Sequence, residues 1–359
     1  MMNNNWLLID NSLLIYKSEL DINKDYLLFD LDYTIIKPKG KNKFPKDKND
    51  WMYIFNSKEK IIEEYNNNKN IIIFSNQSKL NSEDKINEFK EKIENIIKDL
   101  NINIQIYISL KEDKYRKPLW FMFYKMLELN NIKNLDKSKC LYIGDAGGRE
   151  KDFSSDDRLF AYNIGINYKT PEEYFLNENP LSYKIDCFTF DDLKNYENNK
   201  FKKSSKQELI ILVGYPGCGK SYFCKKYLKD YIHINQDELK TLSKCKLLTI
   251  KSLKEKKSIV IDNTNPSKDT RKIYIDICKE LNIPCRCIYF DLDLKIIKHL
   301  NIYRELLGEK KRIPNIAYNV YNKKFNMPIR EEGFEDIIIW HLNLEFKNEN
   351  DKELFYKYY

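Results

Sequence analysis

The chain is short of the residues that build metal clusters. It has three histidines, and none of its eight cysteines stands in a CxxC pair; Cys285-Arg-Cys287 is the one close pair. That argues against a structural zinc site. The scattered thiols, among them Cys140, Cys187 and Cys245, read as free cysteines of a reducing compartment, which predicts an intracellular, soluble protein, nuclear or cytoplasmic. A targeting segment is also missing. The N-terminus MMNNNWLLIDNSLL lacks a basic region followed by a long apolar run. No apolar stretch is long enough to span a bilayer, so no membrane partner is expected. The two halves carry different motifs, with no internal repeat.

What is present fits two globular domains. The 359 residues are 42% hydrophobic and 32% charged, enough chain for two cores and too apolar for disorder. The formal charge of +8 is compatible with a polyanionic partner without demonstrating one. Short apolar runs recur at Leu27–Asp30, Ile71–Ser75, Ile104–Ser109, Cys140–Gly144, Leu209–Gly214, Ser258–Asp262 and Arg286–Phe290. Stretches of helical length, such as Ser82–Leu100 and Leu119–Leu129, separate them. This alternation predicts α/β architecture, with two doubly wound parallel-sheet domains. The polar stretch NYENNKFKKSSKQ, residues 195–207, has no apolar periodicity and precedes a new strand. It divides the chain into domains expected at 1–200 and 205–359.

Polar groups at strand ends carry the chemistry of the first half, because ligands of open α/β sheets bind beyond the carboxyl ends of the strands. The first run ends in Asp30-Leu31-Asp32-Tyr33-Thr34, the second in Ser75-Asn76, and a later one in Gly144-Asp145-Ala146-Gly147-Gly148. Tyr115-Arg116-Lys117-Pro118 opens an expected helix. Each alone is common turn or surface chemistry. In this order they suit phosphoryl transfer to a carboxylate. Asp30 would attack phosphorus, and Asp32, two positions on, would handle protons at the leaving oxygen and then at water. Mg²⁺ would offset the repulsion between two anions, with Asp145 as one of its hard oxygen ligands. Ser75 and Lys117 would support the transferring phosphoryl group.

The order resembles the haloacid dehalogenase superfamily of phosphatases: DxDxT, then Ser/Thr, then Lys, then an acidic loop. The resemblance implies Asp30 as nucleophile and Asp32 as general acid/base. It implies Thr34, Ser75, Asn76 and Lys117 at the substrate phosphate, and Asp30, Asp32 and Asp145 around Mg²⁺. A further acid is usual in the last loop. Asp156 and Asp157 of DFSSDDRLFA are the candidates, with Asp157 preferred.

In the second half, Gly214-Tyr215-Pro216-Gly217-Cys218-Gly219-Lys220-Ser221 satisfies G-x-x-x-x-G-K-[ST], after an apolar run and before a helical stretch. Such a loop turns backbone N–H groups onto a triphosphate. Lys220 reaches the β/γ-phosphates and Ser221 ligates Mg²⁺, so ATP and Mg²⁺ are the expected cofactors. Asp237 of HINQDEL could take the proton of an attacking hydroxyl; the bland alternative is a helix N-cap. IDNTN, residues 261–265, again ends a strand with polar groups. Arg304 lies on an expected helix, where a lid could bring it over the phosphates.

GYPGCGKS, HINQDEL, IDNTNP, PCRCIYF, Tyr303-Arg304-Glu305 and MPIREEGF together resemble the kinase domain of the polynucleotide kinase 3′-phosphatase family. YRKP, GDAGGR, DFSSDDRLFA and TPEEYF resemble its phosphatase domain. The resemblance covers nearly the whole chain, in phosphatase-then-kinase order. It leaves no room for a forkhead-associated domain in front, so no phosphopeptide scaffold partner is expected. It implies healing of nucleic-acid ends, DNA or RNA, as in strand-break repair: removal of 3′-phosphate and ATP-dependent phosphorylation of 5′-OH. The family usually has Gly at Tyr33 and Arg at Gln236 and Ile302, with a basic residue at Asn322. Two alternatives remain. One is a phosphatase/kinase pair acting on a small metabolite. The other is an end-binding protein of weakened catalysis, suggested by the missing arginines.

Overall fold

The computed structural model describes residues 5–189, 192–193 and 201–359. Of the expected linker 195–207, residues 195–200 lie outside the described residues. The chain divides into two compact units, one of residues 1–187 with 357–359, the other of residues 188–356.

Seven strands build the main sheet of the first unit: β1 (Trp6–Ile9), β2 (Leu13–Tyr16), β3 (Asp25–Phe29), β6 (Lys69–Asn76), β7 (Ile104–Ser109), β8 (Leu141–Ile143) and β9 (Asn167–Lys169). Between β3 and β6, the short β4 (Ile36–Lys37) and β5 (Met52–Tyr53) form a separate antiparallel ribbon. The main sheet runs β1-β2-β7-β6-β3-β8-β9. β7 through β9 are mutually parallel, and β1–β2 adds an antiparallel edge. That edge was not expected from the sequence. Its turn is Asp10-Asn11, both at φ 52°, the left-handed pair that two-residue hairpins favour.

Buried strands are apolar on both faces because helices cover both. Leu27 and Phe29 of β3 enter one core, and Tyr26 and Leu28 enter the other. Helix Glu83–Leu100 starts at Ser82, whose side chain accepts the Lys85 N–H, and buries Phe89, Ile93, Ile96 and Leu100 along one stripe. Helix Phe121–Leu129 begins later than expected, so YRKP lies just ahead of it. β3 sits between β6 and β8, where the winding reverses direction. A crevice therefore opens at the carboxyl end of β3.

The second unit has five parallel strands: β10 (Leu209–Val213), β11 (Ile232–Ile234), β12 (Ile259–Ile261), β13 (Cys285–Phe290) and β14 (Asp336–Trp340), in the order β11-β12-β10-β13-β14. β10 is buried throughout, with Leu209, Ile211 and Val213 facing one core and Ile210 and Leu212 the other. It is the central strand and leads straight into the glycine loop. No described helix is long and apolar enough to cross a membrane, and Cys140, Cys218, Cys224, Cys245, Cys278, Cys285 and Cys287 are buried free thiols.

Candidate active sites

In the first unit the strand ends bring the expected acids together. Asp30 follows β3, and its backbone N–H donates to Ile143 O at 2.8 Å, which ties the β3 and β8 ends. Asp30, Asp145 and Asp157 each offer a carboxylate oxygen within 4.8 Å of the others. Lys117 reaches into this cluster, 2.6 Å from Asp30 Oδ1 and 2.7 Å from Asp157 Oδ1, and also donates to the Tyr142 hydroxyl. Tyr142 in turn donates to Asp157 Oδ1 at 2.9 Å. One lysine does not balance three carboxylates, two of them buried and the third, Asp145, partly so. Burial, then the charges of Asp157 and Asp32, push the Asp30 pKa above the ordinary range against the pull of Lys117. Burial with Asp30 and Asp157 does the same to Asp145. Burial opposes the Lys117 charge, yet Asp157 and Asp30 hold its pKa above the usual lysine value. A set of hard oxygen donors with unbalanced negative charge fits Mg²⁺.

Helix geometry separates the two candidate acids of the last loop. Both open helix Asp156–Ile164, but adjacent helical residues point about 100° apart. Asp157 turns into the cluster, where its Oδ2 also accepts the Ala146 N–H at 3.0 Å. Asp156 is outside it. The close approach explains Gly144: a Cβ there would stand 2.4 Å from the Asp157 carboxyl.

Other expected residues hold the frame. Thr34 is fully buried, and its hydroxyl accepts the Asp145 N–H at 3.0 Å, so it braces the acidic loop rather than facing the mouth. Asn76 both donates to Lys117 O and accepts from Lys117 N, fixing the backbone that carries the lysine. Ser75 is buried and accepts from Gln77 Nε2 at 3.0 Å.

Three side chains went unread in the sequence. Gln77 Nε2 donates to Asp32 Oδ2 at 2.5 Å, Lys92 Nζ lies 3.6 Å from Asp32 Oδ1, and Tyr142 lines the cluster as described. Lys92 did carry a signal: it is a lysine on the buried stripe of helix Glu83–Leu100. The Asp32 side chain keeps 35% exposure, facing the mouth as a proton shuttle must.

Tyr33 occupies the left-handed region at φ 58°, which costs an ordinary L-residue about 1–2 kcal/mol and explains why glycine suits the position. Its hydroxyl donates to Lys43 O at 2.7 Å, pinning the loop between β4 and β5 beside the crevice. Phe44 and Phe153 are also exposed, by 54% and 87%. Lys79 Nζ sits 3.3 Å from the centroid of the Phe44 ring, and Lys43 Nζ 4.4 Å from that of Phe153.

In the second unit, Gly214 to Ser221 turn directly from β10 into helix Lys220–Tyr227. Gly217 and Gly219 have φ 85° and 95°, which side chains resist. Lys220 Nζ donates to Gly214 O and Tyr215 O, closing its own loop. Ser221 Oγ donates to Asp262 Oδ2 at 2.7 Å, and His233 Nε2 is 2.9 Å from the same oxygen. Burial raises the Asp262 pKa, but hydrogen bonds from His233 and Ser221 win and hold it below its ordinary value. An ionised carboxylate beside the loop hydroxyl fits Mg²⁺ held by Ser221 and Asp262. Asp262 itself was not singled out by the sequence.

HINQDEL and IDNTN are tied to each other. Asn235 Nδ2 donates to Asp262 O at 2.7 Å, and Gln236 N donates to Asn263 Oδ1 at 2.9 Å. Asn235 caps helix Gln236–Leu239 by accepting the Asp237 N–H. Asp237 is therefore not the cap, and its carboxylate is exposed. Arg304, on helix Leu294–Leu306, donates to Asn301 Oδ1 and stands 3.7 Å from where a Cβ on Gly217 would lie. Its buried Nε has no hydrogen-bond partner among the described residues, and burial pushes its pKa down. A buried guanidinium edge left unpaired beside a phosphate loop is suited to an incoming phosphate. Asn322 accepts from the Tyr215 hydroxyl, so it fixes the loop's aromatic residue instead of adding charge.

Comparisons with known proteins cover both units. Residues 25–175 match the family described as Polynucleotide kinase 3 phosphatase, and residues 209–328 match the one described as AAA domain. The bifunctional polynucleotide phosphatase/kinase of Schizosaccharomyces pombe is 38% identical over 343 residues, spanning 92% of this chain and 83% of that protein. A polynucleotide 3′-phosphatase of Saccharomyces cerevisiae is 31% identical over 203 residues, spanning 41% of this chain and 85% of that protein.

Proposed function

This chain belongs to the bifunctional polynucleotide phosphatase/kinase family, and from that premise we propose that it heals nucleic-acid ends in strand-break repair. Its phosphatase domain, residues 1–200, removes 3′-phosphate. Its kinase domain, residues 205–359, phosphorylates 5′-OH with ATP. The observation that carries the reading is that one such chain holds a converging acid cluster and a glycine-rich phosphate loop, each at the carboxyl ends of parallel strands.

In the phosphatase, an Asp30 oxygen bonds to phosphorus as the bond to the 3′-oxygen breaks, and Asp32 gives that oxygen its proton. Water then attacks the aspartyl phosphate, Asp32 takes its proton, and inorganic phosphate leaves with Asp30 restored. Lys117 stays between Asp30 and Asp157 and offers charge to the phosphoryl group, while Gln77 and Lys92 hold Asp32 at the mouth. Asp30, Asp145 and Asp157, whose oxygens converge, would hold Mg²⁺, which would supply the charge neutralisation that lets one anion approach another; the Asp32 carboxylate lies outside that cluster, on Gln77 and Lys92. In the kinase, Asp237 accepts the proton of the 5′-OH as its oxygen attacks the γ-phosphorus of ATP and ADP departs. Lys220 and Arg304 stabilise the charge on the transferring group, and Ser221 with Asp262 would hold Mg²⁺ at the nucleotide.

The test is a paired assay on matched DNA and RNA oligonucleotides, with labelled ATP for the 5′-OH and 3′-phosphate release for the other end. Label passing to a sugar or nucleoside and not to an oligonucleotide would establish the metabolite alternative instead.

Two expectations concern the phosphatase mouth. Phe44 and Phe153 offer exposed rings with lysines beside them, the chemistry of a single-strand platform. Phe44→Ala and Phe153→Ala should each weaken binding of a single-stranded 3′-phosphate end by about 1–3 kcal/mol, measured by fluorescence anisotropy; equal affinity in both variants would exclude stacking there. Tyr33→Gly should change the ratio of kcat/KM between single-stranded and nicked substrates more than kcat itself. An unchanged ratio would leave Tyr33 with packing alone.

A further inference from the structure

Behind the phosphate loop, three side chains of unlike chemistry converge. Cys224 lies one turn beyond Ser221 on helix Lys220–Tyr227, His233 comes from β11, and Asp262 follows β12. The Cys224 thiol, a His233 ring nitrogen and an Asp262 carboxylate oxygen all lie within 4.8 Å of one another. Cys224 and Asp262 are buried, whereas His233 is exposed and gives the cluster an opening to solvent. Ser221 Oγ, 2.7 Å from Asp262 Oδ2, stands beside the same cluster.

The kinase chemistry accounts for Asp262 and for its hydrogen bond from Ser221, but makes no use of a thiol. Sulfur, nitrogen and oxygen from three residues, with a fourth position left for water or a hydroxyl, form a donor set suited to Zn²⁺ and similar borderline-soft ions. Mg²⁺ asks for oxygen donors alone. The simplest competing account is that Cys224 only fills the core, where it packs with Phe223 and Leu228, and that His233 only orients Asp262.

We propose that Cys224, His233 and Asp262 form a Zn²⁺ site, and that Zn²⁺ bound there switches off the kinase by withdrawing Asp262 and the Ser221 hydroxyl from nucleotide-bound Mg²⁺. The inhibitory step rests on the kinase reading; the binding step does not. As the sulfur–zinc bond forms, the thiol proton leaves to solvent, and no electron is transferred. The His233 nitrogen releases to solvent the proton it shares with Asp262 and gives the freed lone pair to the ion.

The full chain titrated with Co²⁺, a spectroscopic stand-in for Zn²⁺, tests the site directly. Wild type should show a thiolate-to-metal charge-transfer band that saturates at one equivalent and is bleached by Zn²⁺. Cys224→Ser should lose that band although seven cysteines remain. His233→Gln should keep the band but weaken binding by at least about tenfold, the low end of what even an outer partner of a metal site contributes. In parallel, Zn²⁺ should inhibit 5′-kinase activity at fixed Mg²⁺ and ATP. Cys224→Ser should resist inhibition at least about tenfold better, with unchanged activity when Zn²⁺ is absent. No thiolate band, or the same band in Cys224→Ser, overturns the site. Loss of the band with equal Zn²⁺ inhibition in both proteins overturns the inhibitory step. A wild type with the band but no kinase activity on any oligonucleotide overturns the kinase reading and leaves the metal site standing.

Discussion

Asp30→Asn should abolish 3′-phosphate release, by a factor on the order of 10⁴ or more, and leave the 5′-kinase within about twofold of wild type. The substitution keeps size and hydrogen-bonding shape. An asparagine oxygen can still accept from Lys117, which remains paired with Asp157. What disappears is the anionic nucleophile. A residual phosphatase rate within tenfold of wild type would remove Asp30 from the mechanism.

The same variant should behave oppositely in stability. Burial first, with Asp157 and Asp32 alongside, pushes the Asp30 pKa up to about 7 despite Lys117. A carboxyl raised in the folded state contributes stability that is present below its unfolded pKa of about 3.9. That contribution fades as pH rises from there through the folded value. With Mg²⁺ chelated, wild type should therefore lose melting temperature across that window, and Asp30→Asn should lose less and melt higher at pH 7.5. Added Mg²⁺ should raise wild type more than the variant, because the full acid cluster gains most from a counter-charge. Parallel melting curves for the two proteins in chelator would show that the cluster is not under electrostatic load.

Lys220→Ala should remove the other activity. Loss of one preorganised donor at a developing charge costs about 10²–10³-fold in turnover, and Lys220 also ties Gly214 and Tyr215 into the loop. Label transfer from ATP should fall at least that far, with 3′-phosphatase activity intact. If both activities fell together in either variant, the sites would not be independent and the two-site reading would be wrong. A kinase rate within tenfold of wild type would mean that Lys220 does not reach the phosphates.

The missing arginines take on a different meaning in the structure. Asn322, where a basic residue was expected, accepts from the Tyr215 hydroxyl and positions the loop. Arg304 keeps an unpaired buried Nε close to Gly217. Asp30, Asp145 and Asp157 converge as the proposed phosphatase chemistry asks, which favours an active enzyme over a weakened end-binding protein.

How much was legible depends on whether a residue's task is local or distributed. Glycine is scarce in this chain, and six of its ten glycines fall in just two loops, at 144, 147 and 148 and at 214, 217 and 219. Those loops and the acids at strand ends could be read because a strand, a sharp turn and a helix start are all written within about ten residues. The inner strands were visible because strands buried on both faces must be apolar throughout, whereas the partly buried edge strands β9 and β14 were not marked. The hairpin of β1 and β2 also carried a signal, Asp10-Asn11 between two apolar runs, that went unread.

The sequence alone therefore determined the α/β class, the parallel core of both sheets, the DxDxT loop and the phosphate loop, but not the antiparallel β1–β2 edge. Only the tertiary structure decided which of two adjacent acids, Asp156 or Asp157, enters the cluster, that Thr34 braces instead of facing the mouth, and that Lys92 reaches Asp32 from a helix sixty residues away. It alone joined Cys224, His233 and Asp262. The physical reason is that side-chain direction about a helix, and distance between elements, are set by how faces pack across the sheet. Local spacing records which face a residue is on, but not what that face will meet.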